Sequence, residues 1–133
     1  MKQQNFFYYQ LSVDLNEMYC VPYMVTGKII KETETNFIAE DNNGNKHWFS
    51  KDVFTGKNFS VIHTPGDDEC MNDLGYDTYL QGYLWYNEKT EVENKICQNM
   101  VSNINIAVKT KIQNKIDTLL KNMNMLDKEL TFL

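Results

Sequence analysis

The chain has 133 residues, of which 42% are hydrophobic and 23% charged, with a formal net charge of −5 at pH 7. A domain of that size buries a core without staples, so a disordered tail, a collagen-like rod and a disulfide scaffold are excluded. The acidic balance argues against a groove for duplex nucleic acid. All 13 basic residues are lysines, so an anion site here must use ammonium groups, amides or backbone N–H rather than a guanidinium fork.

Residues 6–13, rich in aromatic and β-branched types, predict a first strand. Residues 21–30 predict a second, with Gly27 as a bulge or bend. Residues 35–40 and 46–49 predict a hairpin across Asp41-Asn42-Asn43-Gly44-Asn45, whose Asn-Gly step favours positive φ. A turn over 50–57, a short strand at 59–62 and a loop over 64–69 follow. Residues 76–86 alternate imperfectly and return to the sheet.

After that strand the period changes. Thr90 and Glu93 have capping-box spacing. Apolar residues then recur helically at Val92, Ile96, Met100, Ile104, Val108, Ile112, Ile116, Leu119, Met123, Leu126 and Leu130. Ser102-Asn103 is the one plausible break, so the pattern predicts one kinked helix or two. The expected fold is α+β: a single domain over 1–133, with a bent antiparallel sheet in 1–86 and one or two helices in 87–133. The apolar stripe approximates a heptad seam longer than a small sheet can cover. A second copy is its natural partner, which makes the expected state a homo-oligomer through these helices.

The sequence offers little for catalysis. Cys20, Cys70 and Cys97 form no CxxC pair, and their odd number without a leader fits a reducing cytoplasm. No apolar run approaches the roughly 20 residues of a membrane span. His47 and His63 have no partner at catalytic or metal spacing, and read as polar strand residues. Asp67-Asp68-Glu69, with Asp73 and Asp77, lacks the spacing of a calcium loop. No metal, cofactor or enzymatic activity is expected.

Aromatic and amide content is more suggestive. Trp48, Tyr83, Trp85 and Tyr86 fall on strands, while the helical segment carries Asn99, Asn103, Asn105, Lys109, Lys111 and Lys115. An aromatic platform facing amides and lysines suits a nucleotide: the base stacks, amides read its edge and lysines meet phosphate. Core packing accounts for the same aromatics, and solvation for the same lysines.

Three features are shared with a known family. They are the segment Gly27-Lys28-Ile29-Ile30-Lys31-Glu32-Thr33-Glu34, with its Asn-Gly turn and Trp48-Phe49-Ser50-Lys51; the Asp73-Leu74-Gly75-Tyr76 approach to an aromatic strand; and lysine-rich closing helices. In this order they resemble the Thoeris anti-defence protein 1 family, phage sponges for the cyclic ADP-ribose isomers made by bacterial TIR enzymes. The resemblance implies a sheet followed by oligomer-building helices, with the ligand between them. It also implies a host bacterial cytoplasmic location. Carried over are Trp85 as the sheet aromatic and Asn105 and Lys109 on the helix. Family members typically place arginines one helical turn apart, where this chain has Lys109 with Gln113 or Lys111 with Lys115. The expected function is sequestration of a cyclic ADP-ribose isomer or related cyclic nucleotide without degradation. Expected ligand contacts are Trp85, Tyr83, Asn105, Lys109, Lys111 and Lys115. The alternatives are an anti-CRISPR or other host-takeover inhibitor acting by protein–protein contact, and a small hydrolase using His47 or His63 as base.

Overall fold

The computed structural model describes residues 3–54, 60–62 and 76–131. Six strands form one antiparallel sheet: β1 (Gln4–Asp14), β2 (Tyr19–Glu32), β3 (Asn36–Asp41), β4 (Lys46–Ser50), β5 (Ser60–Ile62) and β6 (Tyr76–Tyr86). Their spatial order is β4-β3-β2-β1-β6-β5. A 3-10 turn, Lys51–Phe54, follows β4, and one α-helix, α1 (Glu91–Thr131), follows β6 among the described residues. The architecture is α+β, as the change of hydrophobic period predicts.

β1 lies at the centre, pairing with β2 along one edge and β6 along the other. Its side chains therefore alternate between two buried faces. Phe7, Tyr9, Leu11 and Val13 join Tyr79, Trp85 and the α1 residues Cys97, Met100, Ile104 and Val108 in one core. Phe6 and Tyr8 join Val25, Ile29, Phe37, Ala39, Phe49 and Leu80 in the other, where Val53 and Phe54 of the 3-10 turn pack against them. Burial on both sides explains why 6–9 reads as an unbroken aromatic run rather than as alternation.

The hairpin forms as predicted, with Gly44 at φ 86°. Asp41 braces it by accepting from the backbone N–H groups of Asn43 and Asn45 and by pairing with His47 Nε2 at 2.8 Å. The His47 bond is the largest influence on the Asp41 carboxyl and, together with the two backbone N–H groups, holds it below its ordinary range against the opposing effect of desolvation. That contribution to folding is present above the ordinary carboxylate range and is lost as pH falls through the lowered value.

Two expectations change. Gly27 is not the bulge: it pairs regularly with Asp41, and the register shift falls between Ile29 and Lys31. The glycine is needed for space instead, because a Cβ would meet the Glu40 carbonyl oxygen and Asp41 Cα. Backbone cannot rotate aside as a side chain can, so Gly27→Ala should force β2 and β3 apart and cost about 1–3 kcal/mol. A urea titration reads this, and an unchanged midpoint would contradict the close approach. Nor does the helix break at Ser102-Asn103: α1 is continuous over 41 residues. The expected loop over 64–69 lies outside the described residues.

Helix and strand lengths set the shape. β6 has 11 residues, about 36 Å of strand. The first part of α1, residues 91–112, spans about 33 Å and so matches it. The remaining residues, 113–131, extend about 28 Å further and are exposed throughout.

Candidate functional site

The start of α1 is fixed locally. Asn87 adopts positive φ (69°), a conformation that Asn tolerates, and its carbonyl accepts a hydrogen bond from Asn5 Nδ2. That turn carries the chain from β6 to the helix. The Glu93 half of the capping box then forms: its carboxylate accepts from the Thr90 backbone N–H at 3.0 Å and from the Thr90 hydroxyl. From there α1 lies over β1 and β6 and leaves the same face of β2 uncovered.

That offset opens a cleft of about 520 Å³ between α1 and the sheet. Phe7 of β1 and Met24 of β2 contribute apolar surface. Asn94, Gln98, Ser102 and Asn105 line the helix side, and Lys89 and Lys109 supply the charge. No Asp or Glu lines it, although the chain has 18 acidic residues. A second cleft of about 570 Å³ lies around Gln3, Asn5, Thr26, Lys28 and Trp85, and Lys89 lines both. The Lys89 ammonium stands 5.8 Å from the centres of both the Phe7 and the Trp85 rings, where cation–π attraction favours it.

Asn105 is oriented from the core. Tyr9 donates its hydroxyl proton to Asn105 Oδ1 at 2.7 Å. Burial raises the Tyr9 pKa, against the lowering effect of the Asn105 bond, so this hydroxyl remains a donor at neutral pH. With Oδ1 engaged, Asn105 keeps its Nδ2 donors, and the residue lines the cleft. Cys97, also in the lining, has its thiol pKa pushed up chiefly by burial. It is 4% exposed and packs in the core beneath the helix.

The expected ligand residues divide. Asn105 and Lys109 meet in the cleft between helix and sheet. Trp85 lines the neighbouring cleft, but only 9% of it is exposed, and Tyr83 stacks on it at 5.6 Å and 18°. This pair is a core stack, not an open platform for a base. Trp85 Nε1 has no hydrogen-bond partner among the described residues. Lys111 turns the other way and forms an ion pair with buried Asp77. Burial draws its pKa down, while the adjacent carboxylate favours its charged form. Lys115 is exposed on the part of α1 beyond the sheet.

Sequence reasoning missed Phe7, Met24, Lys89, Asn94 and Gln98. Lys89 falls in a three-residue link between strand and cap with no motif of its own, and Met24 becomes a lining residue only through the helix's offset. His47 lies elsewhere, with Tyr23 Oη 3.3 Å from its Nδ1 and Asp41 on its Nε2. His63, Cys70, Asp67–Glu69 and Asp73 lie outside the described residues. Among the described residues no cluster of His, Cys, Asp or Glu could hold a metal ion, and no helix is long and apolar enough to cross a membrane. Comparison with known families, curated proteins and solved structures finds no match.

Proposed function

We propose that the protein binds a small phosphate-bearing nucleotide in the cleft between α1 and the sheet, and that it sequesters this ligand without turning it over. The observation that carries this reading is the lining itself: two lysines and four neutral polar side chains, with no carboxylate, in an acidic protein. Its volume, about 520 Å³, falls in the range of small-molecule sites. A base fits against Met24, which is exposed, the amides of Asn94, Gln98 and Asn105 read its edge, and Lys89 and Lys109 meet phosphate. A cyclic ADP-ribose isomer, or a related cyclic nucleotide acting as an immune signal, combines these groups in one compact molecule. In the absence of an activated nucleophile among the lining residues, the protein acts as a sponge.

Calorimetry with a cyclic ADP-ribose isomer tests this, followed by heat denaturation and chromatography of the released ligand. Stoichiometric binding and intact recovery are expected. Absence of heat at millimolar ligand would refute a nucleotide site, and release of linear ADP-ribose or AMP beyond one equivalent would point to a hydrolase. A second reading, inhibition of a host protein by direct contact, draws on the uncovered sheet face, where Met24 and Trp48 are 54% and 63% exposed. It gains if nucleotide fails to bind.

A further inference from the structure

On the sheet face opposite the cleft, three strands bring together side chains that lie far apart in the chain. Tyr23 of β2, His47 of β4 and Asp41 at the end of β3 stand in line: Tyr23 Oη is 3.3 Å from His47 Nδ1, and His47 Nε2 is 2.8 Å from Asp41 Oδ2. Tyr8 meets the Tyr23 ring edge-on at 6.2 Å, and Phe49 lies parallel to the His47 ring at 5.8 Å. Both belong to the core on that face. The Asp41 carboxyl titrates below its ordinary range, so it is an ionised acceptor and Nε2 carries the proton of the neutral imidazole. Nδ1 is then a bare acceptor, and the Tyr23 hydroxyl donates to it. A base oriented by a third group and bonded to a hydroxyl is the arrangement that activates nucleophiles. Exposure follows the same order: Tyr23 is 43% exposed, whereas the His47 and Asp41 side chains are 19% and 13% exposed. The tyrosine is reachable from solvent, and its base is shielded.

We propose that Tyr23 is a nucleophile for acyl transfer from uncharged esters, with His47 as its base and Asp41 as the residue that positions the base. The adjoining hollow, about 380 Å³, indicates the substrate class: Thr26, Asn42, Asn43 and Asn45 line it, and among the described residues no lysine does. Neutral amides donate to a carbonyl oxygen, whereas a phosphate would meet Asp41 and no lysine. In the reaction Tyr23 Oη bonds to the acyl carbon while its proton passes to His47 Nδ1. The bond from that carbon to the ester oxygen breaks, and the proton leaves with the alcohol. Water, giving a proton to the same nitrogen, then cleaves the O-acyl-tyrosine to the carboxylic acid, and His47 returns the proton to Tyr23.

The neutral ester p-nitrophenyl acetate tests this on the full chain, read by release of p-nitrophenolate and by peptide mass spectrometry. Tyr23 should be acetylated at least about 10-fold faster than Tyr86, which is 52% exposed. His47→Gln should slow that step about 100-fold, and Tyr23→Phe should abolish it. Asp41→Asn is the sharper test. Both backbone bonds of the turn go to Oδ1, which asparagine keeps, while its amide replaces Oδ2 and donates to Nε2. The imidazole proton moves to Nδ1, visible by nitrogen NMR of the ring, and Tyr23 loses its base with the hairpin intact. Acetylation should then fall by about 100-fold or more, where a purely bracing Asp41 would leave the rate unchanged. Equal acetylation of Tyr23 and Tyr86, or a Tyr23 rate unmoved by His47→Gln or Asp41→Asn, overturns the proposal. Equal reaction with p-nitrophenyl phosphate overturns the substrate class, and a burst of one equivalent with no further release overturns the hydrolytic step. Nucleotide binding in the cleft plays no part in any of these outcomes.

Discussion

Ile104→Ala is expected to lower the free energy of unfolding by about 2–5 kcal/mol. Among the described residues Ile104 is one of three large side chains with less than 2% exposure, and the helix side of its core has only Cys97, Met100 and Val108 as further buried residues. Removing its outer carbons leaves a cavity where α1 meets β1 and β6. The sheet cannot close over it, because β1 is held by packing on its other face as well. The lost contact lies in the same helical turn as Asn105, so the cleft wall loosens together with the fold. Urea denaturation measures the stability loss, and calorimetry the accompanying fall in nucleotide affinity. Leu126→Ala is the contrast: that side chain is 67% exposed, and under monomeric conditions its removal should change stability by less than about 0.5 kcal/mol. Equal losses at both positions would mean that α1 is not docked through this seam.

Lys89→Ala and Lys109→Ala should each reduce nucleotide affinity by about 1–2 kcal/mol, roughly 5- to 30-fold. On the proposed reading each removes an ammonium that faces phosphate across the cleft, so the deficit should shrink as salt screens the wild-type contact. Lys89 should show the larger effect, since it lines both clefts and its charge is placed over the Phe7 and Trp85 rings. Lys111→Met is the internal control. Its ammonium pairs with Asp77 rather than facing the cleft, so its loss should lower stability and leave affinity unchanged. Calorimetry at two salt concentrations decides the matter. If Lys111→Met weakens binding as much as Lys109→Ala, the ligand lies on the other side of α1.

How much of this was written in the chain depends on the range of the interaction involved. The strands, the Asn-Gly hairpin, the capped start of α1 and its apolar stripe were legible because each follows from neighbouring residues: alternation, a positive-φ step, a three-residue cap, a helical repeat. The seam's length was legible too, since counting residues is enough to show that it outruns a sheet. Its division was not. That Val108 is buried while Ile116 is bare depends on where β6 ends beneath the helix.

The lining of the cleft was legible only in part. Of the expected residues, Asn105 and Lys109 share it. Lys111, only two positions from Lys109, falls on the other side of a 3.6-residue turn and is held by Asp77, 34 positions earlier in the chain. Trp85 and Tyr83, two apart on one strand, point to the same face and stack beneath the helix, which turns an expected platform into core. Lys89 and Met24 join the lining because α1 settles over β1 and β6 and not over β2. That offset follows from which strand faces are apolar: Phe7, Tyr9, Tyr79 and Trp85 take the helix, while Thr26 and Lys28 on β2 remain at its edge. The chain's local chemistry determined the elements; the sideways placement of one helix on the sheet decided which of their side chains line the cleft.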